Sequence, residues 1–214
     1  EVTGNLDEVQ VAEISNGLDR LREMDKRKQT ILTSIEEQGK LTGELRQRIE
    51  GCWDSTELED IYLPYKPKRK TRAAMARERG LEPLADMLLQ QQEQMNIELL
   101  ARKFVNGGKG VGTVDDALQG ARDIIAEWVS ESERSRNTLR NIFAREARIT
   151  SKVVAGKEAE ADKYRDYFNW SEPLSRCSSH RMLAIRRGEN EGFLRVTIAP
   201  ADDAHAIERL ERQY

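Results

Sequence analysis

The chain has 214 residues, of which 38% are apolar, 34% charged and 6% aromatic, and it contains 5 prolines. This charge-rich, proline-poor and aromatic-poor composition is typical of long solvated helices, and it argues against a β-sandwich or a collagen-like chain. The net charge of −3, from 35 basic and 38 acidic residues, argues against a protein that coats nucleic acid by bulk charge alone.

Cysteine and histidine are too scarce for several classes of site. Cys52 and Cys177 lie far apart in the sequence, which excludes a disulfide framework and predicts a reducing, cytoplasmic location. Together with His180 and His205 they cannot form a zinc motif of the usual spacing, and we expect no metal and no other cofactor. No apolar run approaches the roughly 20 residues that span a bilayer, so we expect no membrane partner. The first residue is Glu1 rather than Met, which predicts a piece of a longer protein.

The N-terminal part of the chain is predicted to be a long amphipathic helix. Apolar residues recur at steps of three and four from Leu6 to Ile35, as one face of a core helix requires. The stripe lacks the clean heptads of a dimeric coiled coil. Gly39 offers a helix stop, and Thr42 is expected to cap a second helix.

Several later helices are predicted from their start signals. Thr71 is expected to cap a helix that begins near Arg72 and ends near Gly80. A helix with Pro83 in its first turn follows. Capping boxes, in which a serine or threonine precedes an acid by three positions, predict three more helix starts. The boxes are Thr56 with Glu59, Thr113 with Asp116, and Ser130 with Glu133.

The C-terminal part carries mixed signals. Ser179 is expected to cap a helix, and alternating apolar residues over 193–198 predict a strand. An alternative makes 182–187 a first strand, with a turn through Gly188–Gly192. Because a lone strand is not stable in water, we expect 193–198 to pair with a segment outside the chain or with a neighbouring chain. Ala204–Arg212 is predicted to close the chain as a helix.

The glycine-rich stretch Asn106–Gly112 does not have the spacing of a phosphate-binding loop. Thr113 stands where the P-loop lysine would be, and no predicted strand precedes the stretch. Neither a nucleophile elbow nor a local catalytic cysteine signature is found. We therefore predict that this chain is not an enzyme.

A basic segment, residues 64–79, is the main functional signal. It contains seven basic residues and one acid, a charge of +6, which leaves −9 for the rest of the chain. Clustered cations neutralise phosphates and release counterions, which gives sequence-independent affinity for nucleic acid. Tyr62 and Tyr65 lie beside the segment and could stack on unpaired bases. The alternatives are a solvated face and an intramolecular contact with the acidic remainder.

The stretch LEDIYLPYKPKRKTRAAMARERGLEPLAD at 58–86 strongly resembles a signature of the bacterial Tex family of transcription accessory proteins. EVTGNLDE at 1–8 and KYRDYFNWSEPLSRCSSHRMLAIRRGENEGFLRV at 163–196 resemble the same family, so the resemblance covers essentially the whole chain. Cys177 and Ser178 depart from the family pattern, where we expect a more apolar residue followed by proline.

The resemblance implies a longer parent protein. In that family an RNase-H-like YqgF module regarded as catalytically inert, helix-hairpin-helix motifs and an S1 domain follow this region. The family is related to a eukaryotic transcription elongation factor. Its best-supported nucleic-acid contacts come from the S1 module. The resemblance also implies a helix-turn-helix-like unit in this chain. Residues 1–178 would be the family's N-terminal helical region, and 179–214 would be a helix-strand-helix lead-in to the next module.

The sequence therefore predicts a mainly α fold, a multi-helix bundle with a helix-turn-helix-like unit and one short β segment near the C-terminus. The first functional hypothesis is the N-terminal region of an RNA-binding or DNA-binding transcription accessory protein. Its expected phosphate contacts and its expected stacking residue are Lys66, Lys68, Arg69, Lys70, Arg72 and Tyr65. The second hypothesis is a scaffold that binds the later modules or the transcription machinery and makes no nucleic-acid contact.

Overall fold

The computed structural model describes residues 6–68, 70–91 and 96–214. The fold is mainly α with a small antiparallel sheet, which confirms the predicted class. The helices are α1 (Glu8–Glu37), α2 (Gly43–Gly51), α3 (Ser55–Tyr62), α4 (Arg72–Glu78), α5 (Glu82–Leu89), α6 (Ile97–Arg102), α7 (Val114–Glu131), α8 (Glu133–Glu146), α9 (Ser179–Asn190) and α10 (Asp203–Glu211). The strands are β1 (Ala147–Val153), β2 (Asn169–Pro173) and β3 (Leu194–Pro200).

The chain divides into two compact units, which we call unit 1 (residues 1–133) and unit 2 (residues 134–214). The division expected from the family resemblance falls after residue 178. That boundary separates modules of a longer protein rather than packed units of this chain. The boundary and the helix-turn-helix-like unit both stay predictions.

Helix α1 packs on the core of unit 1 through its C-terminal half only. Asp7 caps it, accepting a hydrogen bond of 2.8 Å from the backbone N–H of Gln10. Ile31 and Ile35 are fully buried. The N-terminal half, by contrast, exposes its large apolar side chains, so the predicted core helix is correct only for the second half. The exposed side chains are Leu6, Val9, Val11, Ile14, Leu18 and Leu21.

Two apolar clusters form the core of unit 1. One joins the second half of α1 to α2 and α3, around Ile31, Ile49 and Leu58. The other cluster joins the four helices α4, α5, α6 and α7, around Leu84 and Ile124. These buried faces hold α3, which ends just before the basic segment, and α4, which lies within it.

Helix α7 lies very close to its neighbours in unit 1. A Cβ added at Gly120 would lie 2.3 Å from Leu81 Cδ1 and 3.3 Å from Ala76 Cβ. Since protein cores are close-packed, glycine at this position allows the approach of α7 to α4 and α5. The predicted box of Thr113 and Asp116 caps α7, as both of its hydrogen bonds are present.

The other two predicted capping boxes are wrong. Helix α3 is capped by Asp54, which accepts a hydrogen bond of 2.8 Å from the N–H of Glu57. Thr56 lies inside the first turn, because Asp54, two residues earlier, is the stronger cap. Ser130 lies inside α7, where its hydroxyl donates to the carbonyl of Glu127. The cap predicted at Thr71 is confirmed.

The sheet of unit 2 has the order β2-β1-β3, and both pairs are antiparallel. The predicted strand is confirmed as β3, but its partner was expected outside the chain, and that expectation is wrong. β3 pairs with β1 of the same unit, with Ile149 opposite Ile198. The sequence does not predict β1 or β2, so the single short β segment becomes a sheet.

Helix α9 confirms the choice of helix before strand, and the alternative strand at 182–187 is wrong. Its cap is Ser178 rather than the predicted Ser179. Gly188 allows α9 to approach β3, because an added Cβ would lie 2.6 Å from Leu194 Cδ1 and 3.2 Å from the Tyr164 ring.

Candidate nucleic-acid interface

The first part of the basic segment connects two helices of unit 1. Helix α3 ends at Tyr62, and a single 3-10 turn over Leu63–Tyr65 follows. The backbone N–H of Lys66 donates to the carbonyl of Tyr62 at 3.1 Å. Gln38, which follows the last residue of α1, donates from its side-chain amide to the carbonyl of Tyr65 at 2.7 Å. Thr71 then caps α4, so Lys66, Lys68 and Lys70 lie in the short connection between α3 and α4.

Helix α7 turns carboxylates toward the segment. Lys68 Nζ lies 3.1 Å from a Glu127 oxygen and 2.7 Å from the Glu131 carboxylate. Arg77 Nη1 lies 2.5 Å from Glu127, and the hydroxyl of Thr71 donates to the same carboxylate at 3.0 Å. The alternative of an intramolecular contact with acidic residues therefore describes Lys68 and Arg77 well.

Glu127 is the centre of this network, and only 11% of its side chain is exposed. Burial favours the neutral acid, but the hydrogen bonds from Arg77, Lys68 and Thr71 outweigh burial and lower the pKa of Glu127. Burial also opposes the charge on Arg77, but the hydrogen bond that Arg77 donates to Glu127 raises the pKa of Arg77 in spite of it. The two groups are therefore held charged against each other.

The remaining predicted cations are more accessible. Arg72 lies 3.8 Å from Asp123, and 81% of its side chain is exposed. Lys66 and Lys70 are exposed. Arg69 lies outside the described residues. Lys66, Lys70 and Arg72, unlike Lys68, keep most of their hydration and can exchange it for phosphate.

A cavity of about 560 Å³ lies beside the segment. It brings three predicted residues together, Tyr65, Lys66 and Lys68, with the half-buried ring of Trp128 from α7. Lys70 and Arg72 do not line it. Residues that the sequence did not assign to a site complete the lining, among them Lys40, Arg77, Glu82 and Glu131.

The cavity combines two aromatic side chains with four cations and two carboxylates. Aromatic faces bind unpaired bases by stacking, and lysine and arginine bind phosphates. Lys40 and Trp128 are far from the segment in sequence, and no local pattern marks them. Arg77 is part of the charge run, but its contact with Glu127 is not visible in the sequence.

Other candidate features show no site chemistry. Among the described residues, no group of three or more His, Cys, Asp or Glu side chains could hold a metal ion. The glycine-rich stretch closes on itself, with the N–H of Asn106 donating to Val111 at 2.8 Å and the N–H of Val111 donating back at 3.0 Å. No helix in the described ranges is both long and apolar enough to cross a membrane.

The structure thus defines a class, a mainly helical protein with a small antiparallel sheet. Comparison with known proteins gives the family. The model of the Tex central region-like family matches residues 92–214, and the model of the Tex-like protein N-terminal domain matches residues 1–36. The chain belongs to the Tex family, as the sequence resemblance implied.

Named relatives agree with this assignment. The transcriptional accessory protein Tex of Neisseria gonorrhoeae is 46% identical over 92% of this chain and 26% of its own length. Protein YhgF of Escherichia coli K12 has the same identity and coverage. The human S1 RNA-binding domain-containing protein 1 is 29% identical over 94% of this chain and 21% of its own length. The chain therefore spans about a quarter of the bacterial relatives that it matches.

Proposed function

We propose that this chain is a region of an RNA-binding transcription accessory protein and that its basic segment contributes to nucleic-acid binding. The cavity that brings Tyr65, Lys66 and Lys68 beside Trp128 is the observation that carries the proposal. The name of the human relative, an S1 RNA-binding domain-containing protein, supports RNA as the ligand of the whole protein. We further propose a cytoplasmic location, an association with the transcription machinery and no catalytic activity.

Within the segment, the exposed cations make the phosphate contacts and the paired ones hold the shape. Lys66, Lys70 and Arg72 are exposed, so they bind phosphate with little loss of internal contacts. Lys68 and Arg77 are engaged by carboxylates of α7, so their main role is to fix the segment. This division refines the predicted set, in which all the cations had the same role.

The test is a titration of the chain with fluorescein-labelled oligouridylate over a series of salt concentrations. We expect the triple variant K66Q/K70Q/R72Q to reduce the slope of log affinity against log salt by about 2, because each lost phosphate contact contributes about 0.7. The variant R22Q/K26Q/K103Q changes net charge equally at exposed positions elsewhere in unit 1. An equal loss in both variants would contradict the site.

Stacking at Tyr65 is tested separately. Replacement of Tyr65 by leucine removes the ring, and stacking contributes about 1–3 kcal/mol per base, so affinity should fall at every salt concentration without a change of slope. Tyr65→Phe keeps the ring and should bind like the unmodified chain. If both substitutions leave affinity unchanged, the cavity does not hold a base.

Protein binding is a second candidate function, and α1 favours it. Leu21 is exposed at the edge of a groove of about 680 Å³ that Met24, Trp53 and Leu58 also line, and Leu18 of the same helix is exposed as well. Large exposed apolar surfaces mark interaction sites. We expect amide hydrogen exchange in α1 to be slower in a full-length relative than in this chain; equal exchange rates would argue against a scaffold role for α1.

A further inference from the structure

The outer face of the sheet in unit 2 is set by the register of its strands. Along β1 the residues Ala147, Ile149 and Ser151 are buried, whereas Arg148 and Lys152 point outward with Thr150 between them. Side chains that are directly opposite in neighbouring strands share a face. The register therefore decides which residues of β2 and β3 lie beside the outward residues of β1.

This outer face is basic and polar. Its nine positions comprise three cations, four hydroxyl or amide side chains, one alanine and one proline. They are Asn169, Ser171 and Pro173 of β2, Arg148, Thr150 and Lys152 of β1, and Arg195, Thr197 and Ala199 of β3. The only acid of the three strands, Glu172, is opposite Ile149 and so belongs to the other face, where it pairs with Arg181 at 2.8 Å.

Among the described residues, no carboxylate pairs with the cations of this face. Lys152 is directly opposite Arg195, and like charges in such a position destabilise a sheet. Arg148 donates to the hydroxyl of Ser171 at 3.2 Å, a neutral partner. In the part of the chain that the structure describes, none of the three cations forms an ion pair. The sheet therefore carries an electrostatic cost that a bound anion would remove.

The charge of the whole unit has the same sign. Unit 2 has 16 basic and 12 acidic residues, a net charge of +4, whereas the whole chain has −3. Positive potential over one unit steers polyanions toward it. Unit 2 is therefore complementary to an anionic ligand in two ways, through the cations of the sheet face and through its overall positive charge.

We propose that the outer face of the β2-β1-β3 sheet binds the phosphate–sugar backbone of a nucleic acid. Serine, threonine and asparagine contact phosphate and sugar oxygens beside lysine and arginine in such interfaces, and Thr150, Thr197 and Asn169 offer these groups. A protein partner would need apolar or aromatic anchors. The one tryptophan of the strands, Trp170, is opposite Ser151 and lies on the other face.

The spacing of the cations requires a ligand with repeated charges. Arg148 and Lys152 are four residues apart in β1, which corresponds to about 13 Å along a strand. A single small anion cannot contact both ends of the row, but successive phosphates of one strand can. The site is separate from the basic segment, because all of its residues belong to unit 2.

The experiment compares the chain with the triple variant R148Q/K152Q/R195Q in titrations with labelled oligouridylate and oligodeoxythymidylate. We expect the salt slope to fall by about 2 and the affinity at 0.1 M salt to fall on the order of 100-fold, as the loss of three phosphate contacts to a single strand predicts. The melting temperature should be unchanged or higher, because the substitutions remove like-charge repulsion.

The matched control changes three cations of unit 2 that have carboxylate partners. These are Arg165 with Asp162, Arg186 with Glu189 and Arg212 with Glu208. R165Q/R186Q/R212Q should keep the affinity and the slope. Equal losses in the two triple variants would overturn the proposal, since net charge alone would then explain binding. Displacement of the oligonucleotide by polyglutamate at equal charge would also overturn it, in favour of an acidic protein segment.

This proposal and the proposed function can fail separately. Loss of binding in K66Q/K70Q/R72Q together with normal binding in R148Q/K152Q/R195Q would overturn the sheet site and leave the basic segment in place. The reverse result would support the sheet site and contradict the role of the basic segment.

Discussion

The basic segment of unit 1 and the sheet face of unit 2 both present clustered cations, but they differ in what surrounds them. In the segment, Lys68 and Arg77 are held by carboxylates of α7. On the sheet face, Lys152 and Arg195 oppose each other without a carboxylate. The number of basic residues in a dense run therefore overstates the positive charge that is available to a ligand. Cations that are scattered in the sequence, like those of the sheet face, can be more available to a ligand than the sequence indicates.

The difference has a simple physical cause. Asp123, Glu127 and Glu131 are spaced by four in α7, so they lie along one helix face and can meet successive cations of the segment. The sheet has no such acidic row, because strand alternation places Glu172 on the opposite face. The segment is thus partly neutralised by its own unit, whereas the sheet face is not.

Removal of the Glu127 carboxylate, the centre of the network in the basic segment, is expected to have the largest effect on stability and on binding. Glu127→Gln is expected to destabilise the chain by about 2 kcal/mol, the range for hydrogen bonds to charged groups, because Arg77, Lys68 and Thr71 lose a shared partner. It should also strengthen oligonucleotide binding and raise the salt slope by about 0.7 for each cation released. Urea unfolding and the binding titration measure the two effects.

Asp123→Asn is the matched control for this substitution. It changes the net charge equally, but its nearest cation, Arg72, is 3.8 Å away and mostly exposed. Exposed pairs contribute less than about 1 kcal/mol, so stability should change little. If Asp123→Asn and Glu127→Gln behaved alike, the special role of Glu127 would be wrong.

The same network predicts a dependence of stability on pH. The folded protein lowers the pKa of Glu127 from its ordinary value of 4.5, so its stabilising effect is fully present above that value and is lost as the pH falls further, through the folded pKa. The free energy of unfolding should therefore differ between the chain and Glu127→Gln at pH 7. That difference should shrink below about pH 4.5. A constant difference down to pH 3 would contradict the pKa assignment.

The smallest expected effect is an increase in the free energy of unfolding, from a substitution on the sheet face. Arg195→Thr removes the like charge opposite Lys152 and introduces a residue that favours strands. We expect a gain of about 0.2–1 kcal/mol in the free energy of unfolding, with a loss of affinity for oligonucleotide. Thermal unfolding at low salt shows the gain most clearly, because salt screens the repulsion. Destabilisation would mean that Arg195 has a structural partner.

Local signals in the sequence predicted most helices and some of their caps. Thr42, Thr71 and Thr113 act as caps as predicted, because a cap depends on residues within one turn. Capping residues that are close together compete, and the sequence alone does not decide between Asp54 and Thr56. The exposed half of α1 was also not predicted, because periodicity shows an apolar face but not whether anything covers it.

The strands and both binding surfaces depend on distant residues, which explains why they were predicted less well. β1 pairs with β3 more than forty residues later, and its sequence ARITSKV alternates too weakly to mark a strand. The cations of the sheet face are dispersed in the sequence and become neighbours only through the register. In the segment, the charges can be read from the sequence, but their carboxylate partners on α7 cannot.

The most direct test of the account is one set of salt titrations on the unmodified chain, K66Q/K70Q/R72Q and R148Q/K152Q/R195Q with the same labelled oligouridylate. Both variants should bind more weakly than the unmodified chain. The sheet variant should lose at least as much salt slope as the segment variant, about 2 for three phosphate contacts, because its cations have no internal carboxylate partners. If the salt slope fell by the full expected amount in the segment variant and did not change in the sheet variant, the account would be contradicted.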